Sequence, residues 1–294
     1  MEKWFDFKGR GTNASTEVIA GITTFITMVY IAIVNPAILS KTGMDFNGVF
    51  VATILATMIG TLVMGVFSNY PIAIAPGMGL NSFFAFAVVL ALGITWQKAL
   101  GAVFIASLIF LVLSFTKFRN VLINSIPESL KHSITAGIGL FIAFIGLQGS
   151  KIIVDSPATL VTFGHASDPV VLLTIFNLFV TVVLMMFNVR GNIFIGMVIT
   201  AIIALFNGMI TLPPSLFVWP TGLEHTAMQM DIKGVFDDNL YAIIFTFFLI
   251  TLFDTTGTMI GIAEQAGLIK DGKFPRIKSA LLADAVGSTA GAML

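Results

Sequence analysis

The sequence predicts an all-α polytopic membrane protein, and three observations carry that expectation. Charged residues make up 10% of the 294-residue chain and hydrophobic residues 57%, whereas a soluble domain carries about 25% charged residues. So little polar surface cannot cover a water-soluble globule, and lipid must be the solvent. Between Asp45 and Lys98 lie 52 residues without one Asp, Glu, Lys, Arg or His, enough for two crossings of about 20 residues each and a tight turn. Lys and Arg also segregate. With the N-terminus cytoplasmic, eleven of the 15 fall on that side and four (Lys41, Lys98, Lys151 and Lys233) on the other, the bias that orients membrane helices.

Nine spans are expected, at 17–39, 48–68, 72–91, 98–116, 130–148, 168–188, 192–209, 239–263 and 277–294. The first apolar run, Val18 to Ser40, is longer than the roughly 7–15 apolar residues of a cleavable signal. Zero net charge and the lack of a basic stripe argue against nucleic-acid binding. The absence of cysteine excludes disulfides, thiolate metal sites and cysteine nucleophiles. The 28 Phe and 14 Met read as lipid-facing and helix-packing residues.

The long connections, 149–167 and 210–238, are expected outside. The second, with Pro213, Pro214, Trp219, Pro220 and Glu224, reads as a surface loop with interfacial anchors. Segment 264–278 reads as a charged cytoplasmic hinge between two structural halves. The last run, Ala280 to Leu294, ends within apolar sequence, which reads as a truncated chain.

The third span carries the first candidate site. It contains Pro71, Pro76, Gly77 and Gly79, two prolines and two glycines within nine residues, followed by Asn81, Ser82, Phe83 and Phe84. Such a segment cannot be one continuous helix. An extended stretch leading into a half-helix that begins near Gly77–Gly79 is expected. Broken spans are tolerated where they line a cavity, and they mark the binding sites of transporters. The half-helix start offers unpaired N–H groups and a positive dipole end. The Asn81 amide can hydrogen-bond a polar ligand.

Asp254, near the middle of the eighth span, is the second. A carboxylate at mid-bilayer costs roughly 2.5–3.5 kcal/mol on insertion scales, so it needs a partner, a cavity or a task. It can also bind and release a proton. Thr251 and Thr258, at i−3 and i+4, share its helix face. Asp284 is a weaker candidate: six residues beyond Lys278, it can sit nearer the interface or pair across helices. Glu17 reads as a helix-start charge. His132, His165 and His225 show no metal-ligand spacing and carry no assignment.

A faint repeat at an offset of 227 pairs Ala56…Gly60-Thr61 with Ala283…Gly287-Ser288, and Thr24-Phe-Ile-Thr27 with Thr251-Leu-Phe-Asp254. Seven spans per repeat would make the copies insert upside down relative to each other, the inverted-repeat plan of many transporters.

Three tracts resemble one family. Thr16-Glu17-Val-Ile-Ala-Gly21-Ile-Thr-Thr24-Phe with Val34-Asn35-Pro36, Pro76-Gly77-Met-Gly79-Leu-Asn81-Ser-Phe-Phe, and Leu-Phe-Asp254-Thr-Thr-Gly257-Thr together resemble the azaguanine-type (AzgA-like) purine permeases. These are a branch of the nucleobase–cation symporter-2 family. The resemblance implies a 7+7 inverted-repeat, uracil-permease-like fold with about nine of fourteen spans present here. Residues 1–16 would be the cytoplasmic N-terminus, 17–117 core-domain spans 1–4, 118–238 gate-domain spans 5–7, and 239–294 the start of the second repeat, core spans 8–9. It further implies a multi-pass protein of the bacterial inner membrane, N-terminus inside, a homodimer as one assembly, and no cofactor beyond the coupling ion.

The implied activity is proton-coupled uptake of hypoxanthine, guanine or adenine by alternating access. Gly79 and Asn81 match the family's third-span substrate segment and Asp254 its eighth-span acidic segment. Thr251 stands where many members carry another carboxylate, which shifts proton coupling onto Asp254. The tenth-span half-helix with its Glu lies outside this chain. A purine is flat and rich in ring N–H donors and acceptors. Asp254 can accept from its N–H groups, Asn81 and the half-helix amides can satisfy its carbonyl or ring nitrogens, and Phe83 or Phe84 can stack on the ring. The same architecture also serves sulfate and bicarbonate transporters, whose half-helix ends bind anions, but Asp254 would repel an anion. An intramembrane aspartyl enzyme using Asp254 and Asp284 is a remote alternative, since it needs two carboxylates sharing one site.

Overall fold

The computed structural model describes Phe5, Phe7, Gly9 and residues 11–116, 128–189, 191–211, 219–268 and 275–294. Apolar helices dominate it: α1 (Ala14–Met28), α2 (Ile31–Leu39), α3 (Phe46–Val63), α4 (Met78–Ser82), α5 (Trp96–Ser114), α6 (Glu128–Gly149), α7 (Pro169–Met186), α8 (Asn192–Phe206), the short α9 (Ile232–Asp237), α10 (Tyr241–Gln265) and α11 (Ile277–Met293). Among the described residues, five segments are long and apolar enough to cross a membrane: Ala14–Thr42, Phe46–Ser68, Trp96–Ser114, Pro169–Met186 and Tyr241–Ala263. Met78–Ala91 and Asn192–Phe206 are shorter apolar helices.

The first expected span is two helices rather than one, separated by a turn at Val29–Tyr30. Three threonines precede that turn. Thr23, Thr24 and Thr27 donate their hydroxyls to the carbonyls of Ile19, Ala20 and Thr24 at 2.7–3.0 Å, a competition with the helix ladder that bends helices. Pro36 within α2 removes a further ladder donor.

The chain divides into two compact units. One comprises Met1–Tyr30 and Leu140–Trp219, the other Ile31–Gly139 and Pro220–Leu294. In the first unit α7 and α8 pack as an antiparallel pair, with α1 against α8. Gly196 makes the α7–α8 approach possible, because a side chain there would meet the Thr181 hydroxyl and the Asn177 amide oxygen. Apolar side chains such as Phe179, Met186 and Phe206 are left exposed, as expected of a surface solvated by lipid.

The same unit holds a departure from the all-α expectation. Within the connection at 149–167, strands β1 (Ile153–Ser156) and β2 (Leu160–Phe163) form an antiparallel hairpin, Ile153 opposite Phe163. The β-branched runs Ile152-Ile153-Val154 and Val161-Thr162 favour strands, and Ser156-Pro157 marks the turn.

In the second unit α11 lies against α3 and α5, α10 against α5, and α2 against α3. Phe84, Val88, Ala99, Ala102, Phe110, Phe247 and Leu252 form its buried centre. The connection expected at 210–238 as a surface loop is, from Pro220 on, a packed cap. Thr226 and Val235 are fully buried, the Met228 N–H bonds the Met293 carbonyl (2.8 Å), and the Asp231 N–H bonds the Gln97 carbonyl (2.9 Å). Glycines permit this. A methyl group on Gly48 would lie 2.5 Å from the Gly222 carbonyl oxygen, and one on Gly101 would lie 2.8 Å from that of Asp231.

Pro213 and Pro214, the middle of the expected hinge (residues 269–274), and Lys3, Lys8, Arg10, Lys117, Arg119, Arg190, Lys270 and Lys273 lie outside the described residues. The charge tally for orientation is therefore a reading of the sequence.

Candidate functional site

The site is built on the broken third span. After α3 the helix widens into a π turn, Met64–Ser68, and Asn69 closes it in the left-handed conformation (φ 53°). Residues 70–77 form no regular secondary structure, and Gly77 at their end is extended. Pro71 and Pro76 supply no N–H to a helix ladder, and Pro76 biases Ala75 away from helical angles. Within a membrane those freed backbone groups need partners. Thr61 of α3 provides them at Ile74: its Oγ1 accepts from the Ile74 N–H (3.0 Å) and donates to the Ile74 carbonyl (3.2 Å).

At Gly77 (ψ 112°) the chain turns into α4, and no side chain caps that terminus. The first N–H to bond back is that of Asn81, to the Gly77 carbonyl at 3.1 Å. The N–H groups of Met78, Gly79 and Leu80 are thus the orphan donors of a helix start, where the positive end of the dipole lies. The helix continues as a π-helical stretch, Phe83–Ala91, so the half-helix runs Met78–Ala91 without a break.

Asp254 faces this terminus. A methyl group built on Gly77 would lie 2.7 Å from Asp254 Oδ2, so the carboxylate occupies the space that glycine leaves open. Among the described residues nothing donates a hydrogen bond to that carboxylate. A negative group at a helix N-terminus is electrostatically favourable, and its oxygens can accept N–H donors from a ligand.

Asn81 stands in the first turn of the half-helix. Its Nδ2 donates to Asn35 Oδ1, Asn35 Nδ2 donates to Thr53 Oγ1 (2.8 Å), and Thr53 donates to the Val49 carbonyl (2.6 Å). This chain fixes the amide orientation and directs the Asn81 carbonyl oxygen away from Asn35. Asn35 is 3% exposed, and the sequence reading gave it no place at the site. A polar amide beside Pro36 inside an apolar helix was the available signal. Gly79 is buried in the same first turn.

The aromatic candidates separate. Phe84 is 4% exposed and packs on the buried Phe247, so it belongs to the core. Phe83 is only partly buried and meets Phe247 edge-on at 5.5 Å between ring centres. The threonines are arranged differently from a simple polar stripe. Thr251 donates to the Phe247 carbonyl (2.9 Å) and Thr258 to the Asp254 carbonyl (2.7 Å), leaving both able to accept but not to donate. Thr255 instead reaches across to Asp284 Oδ2 at 2.6 Å. Asp284 therefore pairs between helices, tying α10 to α11. Glu17 sits in the first turn of α1 and accepts from the Thr12 hydroxyl at 2.7 Å.

An interrupted span whose half-helix start faces a mid-helix carboxylate, set among membrane-length apolar helices, is the architecture of a helical membrane transporter. Comparison with known proteins narrows the class. A model described as "Permease family", that of the xanthine/uracil permeases, matches residues 15–294. The chain belongs to that family, which places it among transporters rather than enzymes. It is 50% identical over 294 residues to the guanine/hypoxanthine permease PbuO of Bacillus subtilis, covering 98% of this chain and 68% of the relative. It is 46% identical to the guanine/hypoxanthine permease PbuG of the same organism (100% of this chain, 69% of the relative). It is 42% identical to the adenine permease AdeP of Escherichia coli (100% and 66%). The chain thus spans about two thirds of the length of these relatives.

Proposed function

We propose that this chain carries the first repeat and the start of the second of a secondary active transporter for purine nucleobases, hypoxanthine or guanine foremost and adenine next, driven by protons. The observation that carries the reading is the meeting of Asp254 with Gly77. It sets an acceptor for ring N–H groups beside three orphan backbone donors and the Asn81 carbonyl, a hydrogen-bond pattern suited to an uncharged purine. The names of PbuO, PbuG and AdeP support the substrate class. Asp254 would be both substrate ligand and proton carrier, with Asn81, Gly79, Thr251, Thr258 and Phe83 lining the site. Protonating Asp254 would neutralise it and let the loaded core cross the barrier.

In this reading residues 17–117 and 239–294 belong to a core domain and 118–238 to a gate domain of an azaguanine-type, 7+7 inverted-repeat permease. It is placed in the bacterial inner membrane, N-terminus inside, and can pair as a homodimer. The contact of Gly60 with Gly287 supports the repeat, since the sequence offset pairs these two residues. A sulfate- or bicarbonate-type carrier of the same fold is disfavoured by the carboxylate at the half-helix start.

The test is uptake of radiolabelled hypoxanthine, guanine, adenine, uracil and sulfate by cells lacking their own permeases and expressing the full-length protein, with and without a protonophore. Protonophore-sensitive uptake of one or two purines supports the proposal. Uptake of sulfate, or of none of the five, refutes it.

A further inference from the structure

Thr61 makes an interaction that nothing in the purine site requires directly. A threonine in a helix ordinarily donates to a carbonyl of its own preceding turn. This one leaves its helix and takes both backbone groups of Ile74, at 3.0 and 3.2 Å, the pattern by which a neighbouring strand would hold an extended residue. The Ile74 side chain is gripped at the same point. Methyl groups built on Gly60 and Gly287 would lie 3.0 and 3.5 Å from Ile74 Cγ2, and Gly287 Cα packs against Gly60. Ile74 is therefore seated in a notch between α3 and α11 while its backbone is bound by the residue next to Gly60.

Three residues further along the extended segment is Gly77, against Asp254, and the half-helix begins at Met78. A segment without helical ladder bonds is free to slide by a fraction of a residue unless something holds it. Tyr70 holds its start, donating its hydroxyl to the Pro275 carbonyl, and Ile74 is where its backbone is held nearest Gly77.

We propose that Thr61, with the Gly60–Gly287 notch, is a register lock on the unwound span. It positions the half-helix start relative to Asp254 without touching substrate. Loss of the lock lets Gly77 and the orphan N–H groups drift from the carboxylate, so ligand affinity falls while the transport cycle itself is intact. The repeat pairs Thr61 with Ser288, which places a second hydroxyl directly after the notch's other glycine.

The inference rests on the proposed transport function for its consequence but not for the lock itself, and the test separates the two. Hydrogen–deuterium exchange is measured on the purified full-length protein in lipid nanodiscs, for the wild type, Thr61→Val and Thr61→Ser. Thr61→Val keeps the shape and removes both bonds. It should speed exchange of the 72–75 amides by about tenfold or more, whereas Thr61→Ser stays near wild type. In purine uptake, Thr61→Val should raise KM about five- to tenfold with Vmax within about twofold, and Thr61→Ser should restore it. Should Thr61→Val fail to reach the membrane, Ile74→Ala empties the notch while leaving the backbone bonds, and it should give a smaller rise in the same exchange. Unchanged exchange at 72–75 in these variants overturns the lock. So does a Thr61→Val protein with faster exchange and normal KM, because the register would then not set the site. A wild type that takes up no purine would refute the transport reading and leave the exchange result standing.

Discussion

Gly60 of α3 and Gly287 of α11 meet backbone to backbone: a methyl group on Gly287 would lie 3.2 Å from Gly60 Cα. Close approach of helices at small residues is how membrane helices associate when the hydrophobic effect between them is lost. Replacing Gly287 by Leu forces α11 away from α3 and from Ile74 and should destabilise the second unit by about 1–3 kcal/mol. Thermal melting of the purified full-length protein checks this, with a lowered midpoint expected for Gly287→Leu and a smaller shift for Gly287→Ala. An unchanged midpoint for the leucine variant would mean that the contact bears no packing.

Gly77 is glycine because a carboxylate fills the space of a side chain. Alanine there would put a methyl group 2.7 Å from Asp254 Oδ2, so one of the two must move. Gly77→Ala should reach the membrane at normal levels yet raise the KM for purine uptake by about tenfold, equivalent to about 1.4 kcal/mol of lost binding. Normal KM would show that Asp254 and the half-helix start are not joined in one site.

Asn35 lies a layer behind Asn81. Removing its side chain by Asn35→Ala strands the Asn81 amide nitrogen, while the Thr53 hydroxyl loses a donor but keeps its own bond to the Val49 carbonyl. A buried polar group left unpaired costs about 1–3 kcal/mol. The variant should melt at lower temperature and bind purine more weakly, because the Asn81 amide is then free to flip. Isothermal titration with hypoxanthine alongside melting distinguishes the two effects. A variant that melts lower but binds normally would confine Asn35 to a packing role.

The break in the third span was legible in the sequence. Pro71, Pro76, Gly77 and Gly79 announced a break, and the break is there because neither proline can join a helix ladder. Asp254 stood out because a carboxylate in an apolar span needs a reason. Its neighbour at Gly77 was not legible, since contact between the third and eighth spans depends on how α10 packs against α4, which no spacing within one helix encodes. The hydrogen bonds of the threonines were not legible for a related reason. Periodicity put Thr251 and Thr258 on the Asp254 face, but their hydroxyls turn back to the helix, and Thr255 makes the cross-helix bond to Asp284. The hairpin at 153–163 was missed although Ile152-Ile153-Val154 is a strand-like run, because the surrounding apolar helices dominated the reading. The cap from Pro220 on was read as a loop because that proline and the charges after it look like solvent-exposed sequence. What packs it down is the bareness of Gly48 and Gly101 on other helices.

The proposed function gives Asp254 two tasks, ligand and proton carrier. The measurement that tests this most directly is hypoxanthine accumulation in proteoliposomes containing the full-length protein, under an imposed pH gradient, for the wild type and Asp254→Asn. The wild type should concentrate the base and lose it on addition of a protonophore. Asp254→Asn should show no gradient-driven accumulation, a drop of at least about tenfold. Accumulation by Asp254→Asn that still follows the pH gradient would contradict the account, because the proton would then be carried elsewhere.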